Sequence, residues 1–228
     1  MPKFIQKNYM ITIPKEVYIK AIYEITEITG KKVSTSAVAE KLKVSNAAAS
    51  EMARKLFAEK VIDYEKYRGM SLTSKGRKIA INIVRRHRLW ELFLIKALDL
   101  SWSEVHEEAE RFENHTSDFL IQKIDDYLGN PEYDPHGHPI PNINGEFPKQ
   151  QKSIGLLQTE SGKKYKVVSV DDKNREIVTF FSDLGLILDA EIKIIEKYSF
   201  DNSTLIDING KQHSLSEKIG SLISVVSC

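Results

Sequence analysis

STSAVAEKLKVSNAAASEMARKLFAEKVI, residues 34–62, followed by DYEKYRGMSLT, residues 63–73, decides the architecture. Val38, Ala39 and Leu42, then Val44, Ala49, Met52, Ala53 and Leu56, recur at helical spacing on either side of a break at Lys43-Val44-Ser45. That pattern predicts two short helices, each with one buried stripe. Ser34 or Thr35 suits the N-cap of the first, and Ser45 or Asn46 that of the second, because their side-chain oxygens accept otherwise orphaned backbone N–H groups. Ile62, Tyr64, Met70 and Leu72 then frame a Tyr67-Arg68-Gly69 turn, the signature of a short hairpin. Helix, turn, helix and basic hairpin in that order predict a winged helix-turn-helix.

Outward from this stretch, residues 14–29 carry Val17, Ile19 or Ala21, Ile22, Ile25 and Ile28 at roughly helical spacing before Gly30, so a helix precedes the motif. A long helix is expected from Ser74 to about Leu98. Ser101 and Glu104 form a capping-box pattern for a helix over 102–114, and another is expected over 116–128. Residues 129–153 hold five of the seven prolines and read as a linker. Beyond it the period shortens: KYKVVSV, EIVTFF, EIKIIEKY, STLIDI and HSLSEKIGSLISVV read as short β runs between turns, as in a small barrel. The chain is thus expected to be mainly α with a small β domain. Its expected divisions are a winged helix-turn-helix (1–73), a helical domain (74–130), a linker (131–153) and a β domain (154–228).

At 41% hydrophobic and 29% charged, the composition is that of a globular protein. No apolar run is long enough to span a membrane, the N-terminus lacks the pattern of a secretory leader, and the single cysteine, Cys228, permits no disulfide within the chain. These features point to the reducing cytoplasm. The overall charge of +1 conceals an asymmetry: residues 1–88 hold 19 Lys and Arg against 8 Asp and Glu, and residues 89–150 hold 4 against 13. A basic first third fits a polyanionic partner, and an acidic middle fits cations.

Helix-turn-helix proteins present the N-terminal end of their second helix to the major groove. Here that end supplies Ser45, Asn46, Ala47, Ala48, Ser50 and Glu51 for base edges and thymine methyls. Arg54 and Lys55, with Lys66 and Arg68 on the wing, suit phosphates. Double-stranded DNA is the expected partner.

Within RRHRLWELFL, His87 and Glu91 stand one helical turn apart, and within VHEEAERFENH, His106, Glu110 and Glu113 line one stripe of a second helix. Two such helices, packed together, would converge two imidazoles and three carboxylates, a donor mixture suited to Mn2+, Fe2+ or Zn2+. HEEAE lacks the second histidine of a helical zinc-protease motif, Glu110 standing in its place, and no other catalytic signature appears, so an enzyme is not expected. His136 and His138, in PHGHP, are explained as well by a proline- and glycine-rich turn as by metal binding. The apolar run Leu89, Trp90, Leu92, Phe93, Leu94 and Ile95 has too few polar positions for a solvated helix, which predicts a homodimer built by residues 89–128 and a pseudo-palindromic operator.

In order along the chain, EVYIKAIYEI, the helix-turn-helix, YEKYRGMSLTSKGRKIA, IVRRHRLWELFL, EVHEEAERFENH and DPHGHPIP resemble the diphtheria-toxin-repressor family of metal-dependent transcriptional repressors, which includes iron-dependent and manganese-transport regulators. The resemblance implies dimerisation through the central helices, an SH3-like C-terminal β barrel and repression of metal-uptake genes under Mn2+ or Fe2+, with Zn2+ able to substitute in vitro. It places His87, Glu91 and His106 in the family's ancillary metal site, and Glu110 and Glu113 among the acidic ligands of its primary site. Three primary-site positions depart from the family: Val17, Lys20, and Asn114, beside which His115 lies one residue further on. One helical step turns a side chain by about 100°, so His115 does not replace the missing ligand. The alternative is a regulator of the same fold that has lost obligatory metal control.

Overall fold

The computed structural model describes residues 14–65, 68–149, 152–172 and 174–228. They form two compact units, residues 1–83 and 84–228. In the first, α1 (Lys15–Thr29) buries Tyr18, Ile19, Ala21, Ile22 and Tyr23. The apolar stripe read from the sequence is therefore displaced toward the start of α1, and Ile28 is left 67% exposed. The next two helices, α2 (Thr35–Leu42) and α3 (Asn46–Ala58), are capped by Ser34 and Ser45, whose hydroxyls accept the backbone N–H of Ala37 and Ala48. Between them Lys43 turns the chain at φ 53°. Strands β1 (Ile62–Glu65) and β2 (Gly69–Leu72) pair antiparallel as the wing, with Ile62 opposite Leu72. Val33 bridges Met70, which ties the wing to the start of the motif.

Helix α4 (Ser74–Leu98) carries the chain from the first unit into the second. Two further helices follow, α5 (Val105–Glu113) and α6 (Asp118–Leu128). The capping-box residues do pair, the Glu104 carboxylate accepting the backbone N–H of Ser101, but they close a turn ahead of α5 rather than opening it. Leu89 and Leu92 of α4 pack with Ile121 and Ile124 of α6 and with Ile140. The expected linker thus contributes to the core of the helical region. Arg85 and Asp125 form a buried ion pair at 2.6 Å across the same interface.

The remainder of the second unit is a six-stranded antiparallel sheet among the described residues, ordered β3-β8-β4-β5-β6-β7. Its strands are β3 (Ile154–Gly155), β4 (Lys164–Val170), β5 (Glu191–Lys197), β6 (Thr204–Ile208), β7 (Lys211–Leu215) and β8 (Ile223–Ser227). EIVTFF, expected as β, lies instead in a helix, α7 (Arg175–Leu184). Asn174 decides this locally, since its side chain accepts the N–H groups of Glu176 and Ile177 and so starts a helix. Val178 and Phe181 are then buried one turn apart, with Ile177 and Leu184 beside the core that holds Phe181. A short helix, α8 (Glu217–Gly220), interrupts the last of the expected β runs.

One turn fixes the relation between the helices and the sheet inside this unit. The His136 carbonyl accepts the Val170 N–H at the end of β4. Gly137, at φ 86°, lies so close to β4 that a Cβ would sit 1.9 Å from the Val168 carbonyl oxygen. Gly162 has nearly the same φ, 83°, with nothing within 4 Å of that position. Left-handed backbone alone costs a non-glycine residue about 1–3 kcal/mol. Gly137→Ala should therefore destabilise the protein by clearly more than Gly162→Ala, the excess measuring the close approach. Equal shifts of the thermal midpoint would show that the turn is not seated on β4.

Candidate metal centre

His87 and Glu91 project from one face of α4, and His106 from α5 faces them. Glu91 Oε1 lies 3.0 Å from both His87 Nε2 and His106 Nδ1, and those two nitrogens are 3.2 Å apart. Glu113 is not in this triangle. Its carboxylate stands behind His87, 2.7 Å from Nδ1. With a neutral imidazole, His87 Nδ1–H donates to Glu113 and leaves the Nε2 lone pair turned toward Glu91, which is how metal-binding histidines are commonly oriented. Glu110 is at the rim, 3.7 Å from His106 Nε2 and 56% exposed.

The cluster continues beyond the helices. Asp134 Oδ1 accepts the backbone N–H groups of His136 and His138, which fixes the turn and aims both imidazoles inward. Trp102 stacks on His136 at 4.8 Å between ring centroids and donates its indole N–H to the Pro135 carbonyl. Asp172, two residues beyond the end of β4, closes the group. Its Oδ2 lies 3.4 Å from His138 Nδ1, 3.7 Å from His136 Nδ1 and 3.9 Å from His106 Nδ1. Among the described residues, three triads have donor atoms within 4.8 Å of one another: His87–Glu91–His106, Glu91–His136–Asp172 and Asp134–His138–Asp172.

The electrostatics follow from burial. Glu91 and His136 have no exposed surface. Burial opposes ionisation of Glu91, but the imidazoles of His87, His106 and His136 outweigh it and hold the carboxyl well below the usual range. Burial likewise disfavours the charged forms of His136 and His138. Glu91 for the first, and Asp134 and Asp172 for the second, nevertheless raise both above the ordinary imidazole value. Asp172 is lowered, its partner His138 overcoming desolvation. Glu91 Oε2, Asp134 Oδ2 and His136 Nδ1 are buried without a hydrogen-bond partner. Buried polar atoms normally find partners. Asp134 Oδ2 has Arg88 Nε at 3.6 Å and His138 Nδ1 at 3.3 Å, whereas Glu91 Oε2 and His136 Nδ1 face each other at 3.9 Å, as the lone pairs of a cation site would. The set is all nitrogen and oxygen, which suits Mn2+, Fe2+ or Zn2+.

Thus the structure gathers His87, Glu91 and His106 closely, leaves Glu110 at the rim and puts Glu113 behind His87. It also adds Asp134 and Asp172, which sequence reading passes over, and brings in His136 and His138, which it weighs between a turn and metal binding. Asp134, His136 and His138 were legible as a D-x-H-x-H spacing obscured by prolines and a glycine. Asp172 carried no local signal. Of the departing positions, Lys20 is buried, Val17 is half-buried, the Asn114 side-chain oxygen is buried without a partner and His115 is exposed.

On the first unit, Asn46, Ala47, Ala48, Glu51, Arg54 and Lys55 form an exposed face of α3, with Ser50 half-buried. The Ser45 hydroxyl is engaged as the cap. Glu51 and Lys55 pair at 2.8 Å, and Arg54 donates to the Ser50 carbonyl. Arg68 is exposed on the wing beside Glu65, while Lys66 lies outside the described residues.

Comparison with known proteins gives three matches along the chain. Residues 10–70 match the family described as iron dependent repressor, N-terminal DNA binding domain. Residues 73–142 match iron dependent repressor, metal binding and dimerisation domain, and residues 154–227 match the FeoA domain. The chain is 30% identical over 191 residues to the iron-dependent repressor IdeR of Mycobacterium leprae, covering 78% of this chain and 82% of that one. It is 39% identical over 119 residues to the transcriptional regulator MntR of Oceanobacillus iheyensis, covering 52% and 80%. Among solved structures, a manganese-dependent transcriptional repressor in complex with manganese superimposes with a TM-score of 0.85 at 35% identity, covering 94% of this chain and all of that one. ScaR with bound Zn2+ superimposes at 0.77 and 30% identity, with 94% and 100% coverage.

The raised His136 and His138 have a testable consequence. A raised imidazole contributes stability below its unfolded value of about 6.5 that is lost as pH rises through the folded value. Metal-free protein should lose stability between pH 6.5 and the alkaline side, and a His136→Gln/His138→Gln variant should lose that slope. A metal bound by these histidines would displace the same protons, so calorimetric heats of Mn2+ binding at pH 7 should differ between buffers of different ionisation enthalpy. Buffer-independent heats would mean that no proton leaves.

Proposed function

Because the chain belongs to the diphtheria-toxin-repressor family of metal-dependent transcriptional repressors, we propose that it is a DNA-binding regulator whose affinity for its operator is set by Mn2+ or Fe2+ bound around Glu91. The observation that carries this reading is the convergence of two buried, unpartnered atoms, Glu91 Oε2 and His136 Nδ1, beside the His87–Glu91–His106 triad. His87, Glu91, His106, His136, His138 and Asp172 would hold the ion, which supplies a positive charge to a carboxylate-rich interior and clamps the segments that bear them. Glu113 orients His87, and Asp134 orients the turn. Val17, Lys20 and Asn114 offer an alkyl group, an ammonium and an amide where the family resemblance leads one to expect ligands, which favours placing control in the Glu91 cluster.

The remaining assignments rest on the same reading. Residues 1–73 contact DNA, 74–130 bind metal and dimerise, 131–153 connect and 154–228 form the SH3-like domain. Dimerisation is supported by apolar side chains that α5 and α6 leave open to water: Phe112, Phe119, Leu120 and Tyr127, of which Phe119 is 74% exposed. Two-fold symmetry then calls for a pseudo-palindromic operator. No helix among the described residues is long and apolar enough to cross a membrane, which accords with a cytoplasmic repressor of metal-uptake genes. The ion acts on DNA binding only through a higher affinity for the DNA-competent arrangement. A hundredfold gain in operator affinity corresponds to about 2.7 kcal/mol of coupling.

Fluorescence anisotropy on operator DNA tests the reading. Mn2+ should tighten binding by ~10², and His87→Ala/His106→Ala should abolish that gain while leaving weak, salt-sensitive binding in place. Arg54→Ala should weaken all sequences alike, and Asn46→Ala should alter site preference. Phe119→Asp should shift the protein toward monomer in light scattering. A double histidine variant with the full metal response would overturn the assignment.

A further inference from the structure

The wing carries an acid among its cations, and that acid, Glu65, holds two of them at once. Its Oε1 lies 3.3 Å from Lys32 Nζ, and its Oε2 lies 3.4 Å from Arg68 Nη1. Resting on the reading of residues 1–73 as the DNA-contacting domain, we infer that Glu65 stands in for a DNA phosphate. It occupies Lys32 and Arg68 in the free protein, and a duplex gains those cations only by displacing it. Glu65 thereby limits the affinity and the salt dependence of DNA binding.

The backbone brings the three side chains together. Glu65 and Gly69 are cross-strand partners at the tip of the wing, and the Arg68 N–H donates to the Glu65 carbonyl to close the turn. On the other side of β2, Val33 and Met70 exchange two backbone hydrogen bonds of 2.8 Å, which lays residue 32 alongside Gly69. Gly69, at φ 89°, approaches that segment so closely that a Cβ would meet the Val33 carbonyl oxygen at 2.9 Å and the Lys32 Cβ at 3.4 Å. Because residue 69 has no side chain, the lysine reaches across β2 to the carboxylate on β1. Arg68 meets the same carboxylate from the turn.

Energetics place the consequence in binding and not in folding. Lys32 and Glu65 are about half exposed and Arg68 is 81% exposed. Ion pairs this open to water contribute little to stability. Their effect on a polyanion is larger. A cation that neutralises a phosphate releases a condensed counterion, which is the main source of affinity for a duplex. With Glu65 ionised, Lys32, Glu65 and Arg68 present one net positive charge to the phosphates; without that carboxylate they present two.

Fluorescence anisotropy of the full chain on a mixed-sequence DNA duplex, over a salt series at constant Mn2+, tests this. Glu65→Gln should tighten binding by roughly threefold to tenfold at low salt. The slope of log K against log salt should steepen by about 1–2, one counterion for each cation freed. Asp63→Asn removes the same charge from the same exposed face of β1 while keeping Glu65 in place, and its slope should stay near that of the wild type. Adding Lys32→Gln and Arg68→Gln to Glu65→Gln should remove the gain, circular dichroism confirming that each variant is folded. A Glu65→Gln protein that binds no better than the wild type overturns the inference, as does equal steepening by Asp63→Asn. In either case a salt-sensitive wild type leaves the DNA-binding reading intact, whereas a wild type that ignores salt removes both.

Discussion

A carboxylate sealed from water in the middle of α4 sets the terms for the second unit. Glu91 has no exposed surface, yet its ionised form is favoured. Burying a charge in a protein interior is tolerated only with compensation from neighbours. The compensation here is collective: α4 itself gives His87, α5 gives His106 and the 134–138 turn gives His136, while Asp172, after β4, adds a like charge that His138 offsets. Each of these pieces is fixed by ordinary packing and capping. Leu89 and Leu92 seat α4 on α6, Asp134 shapes the turn, and Gly137 admits that turn against β4. The apolar core places the elements, and the buried charge determines which polar groups they must bring to one point.

The polar groups are arranged in a second layer as well. Glu113 holds one imidazole from behind, Arg88 meets Asp134 and donates to the Pro139 carbonyl, and Trp102 covers His136. Outer partners of this kind orient ligand histidines and tune their basicity. They also explain why two carboxylates that looked equivalent on the α5 stripe differ in role. Glu110 and Glu113 share a helix face by spacing, but one is at the solvent rim and the other is almost fully buried beside His87. Spacing gives the face; only the partner across the interface gives the function.

That distinction accounts for how much could be read in the sequence. The winged helix-turn-helix was legible because its information is local: caps at Ser34 and Ser45, a stripe on each helix and a turn between two β runs. His87, Glu91 and His106 were legible because helical spacing aligns them. EIVTFF was misread because β-branched and aromatic residues in a short run fit a strand by propensity, while the deciding interaction was one Asn174 side chain bonding to two backbone N–H groups. Asp172 was not readable at all. It reaches the cluster through the folding of β4, a placement with no periodic trace in the chain, and His136 and His138 were hidden by the prolines and glycine that build their turn.

The imidazole–carboxylate pairs also constrain how a metal could act. Because Glu91, Asp134 and Asp172 favour the protonated forms of His136 and His138, an ion bound by these groups would have to displace protons. Its free energy of binding is correspondingly discounted by the protons it displaces, and what remains for regulation is the difference between two similar arrangements.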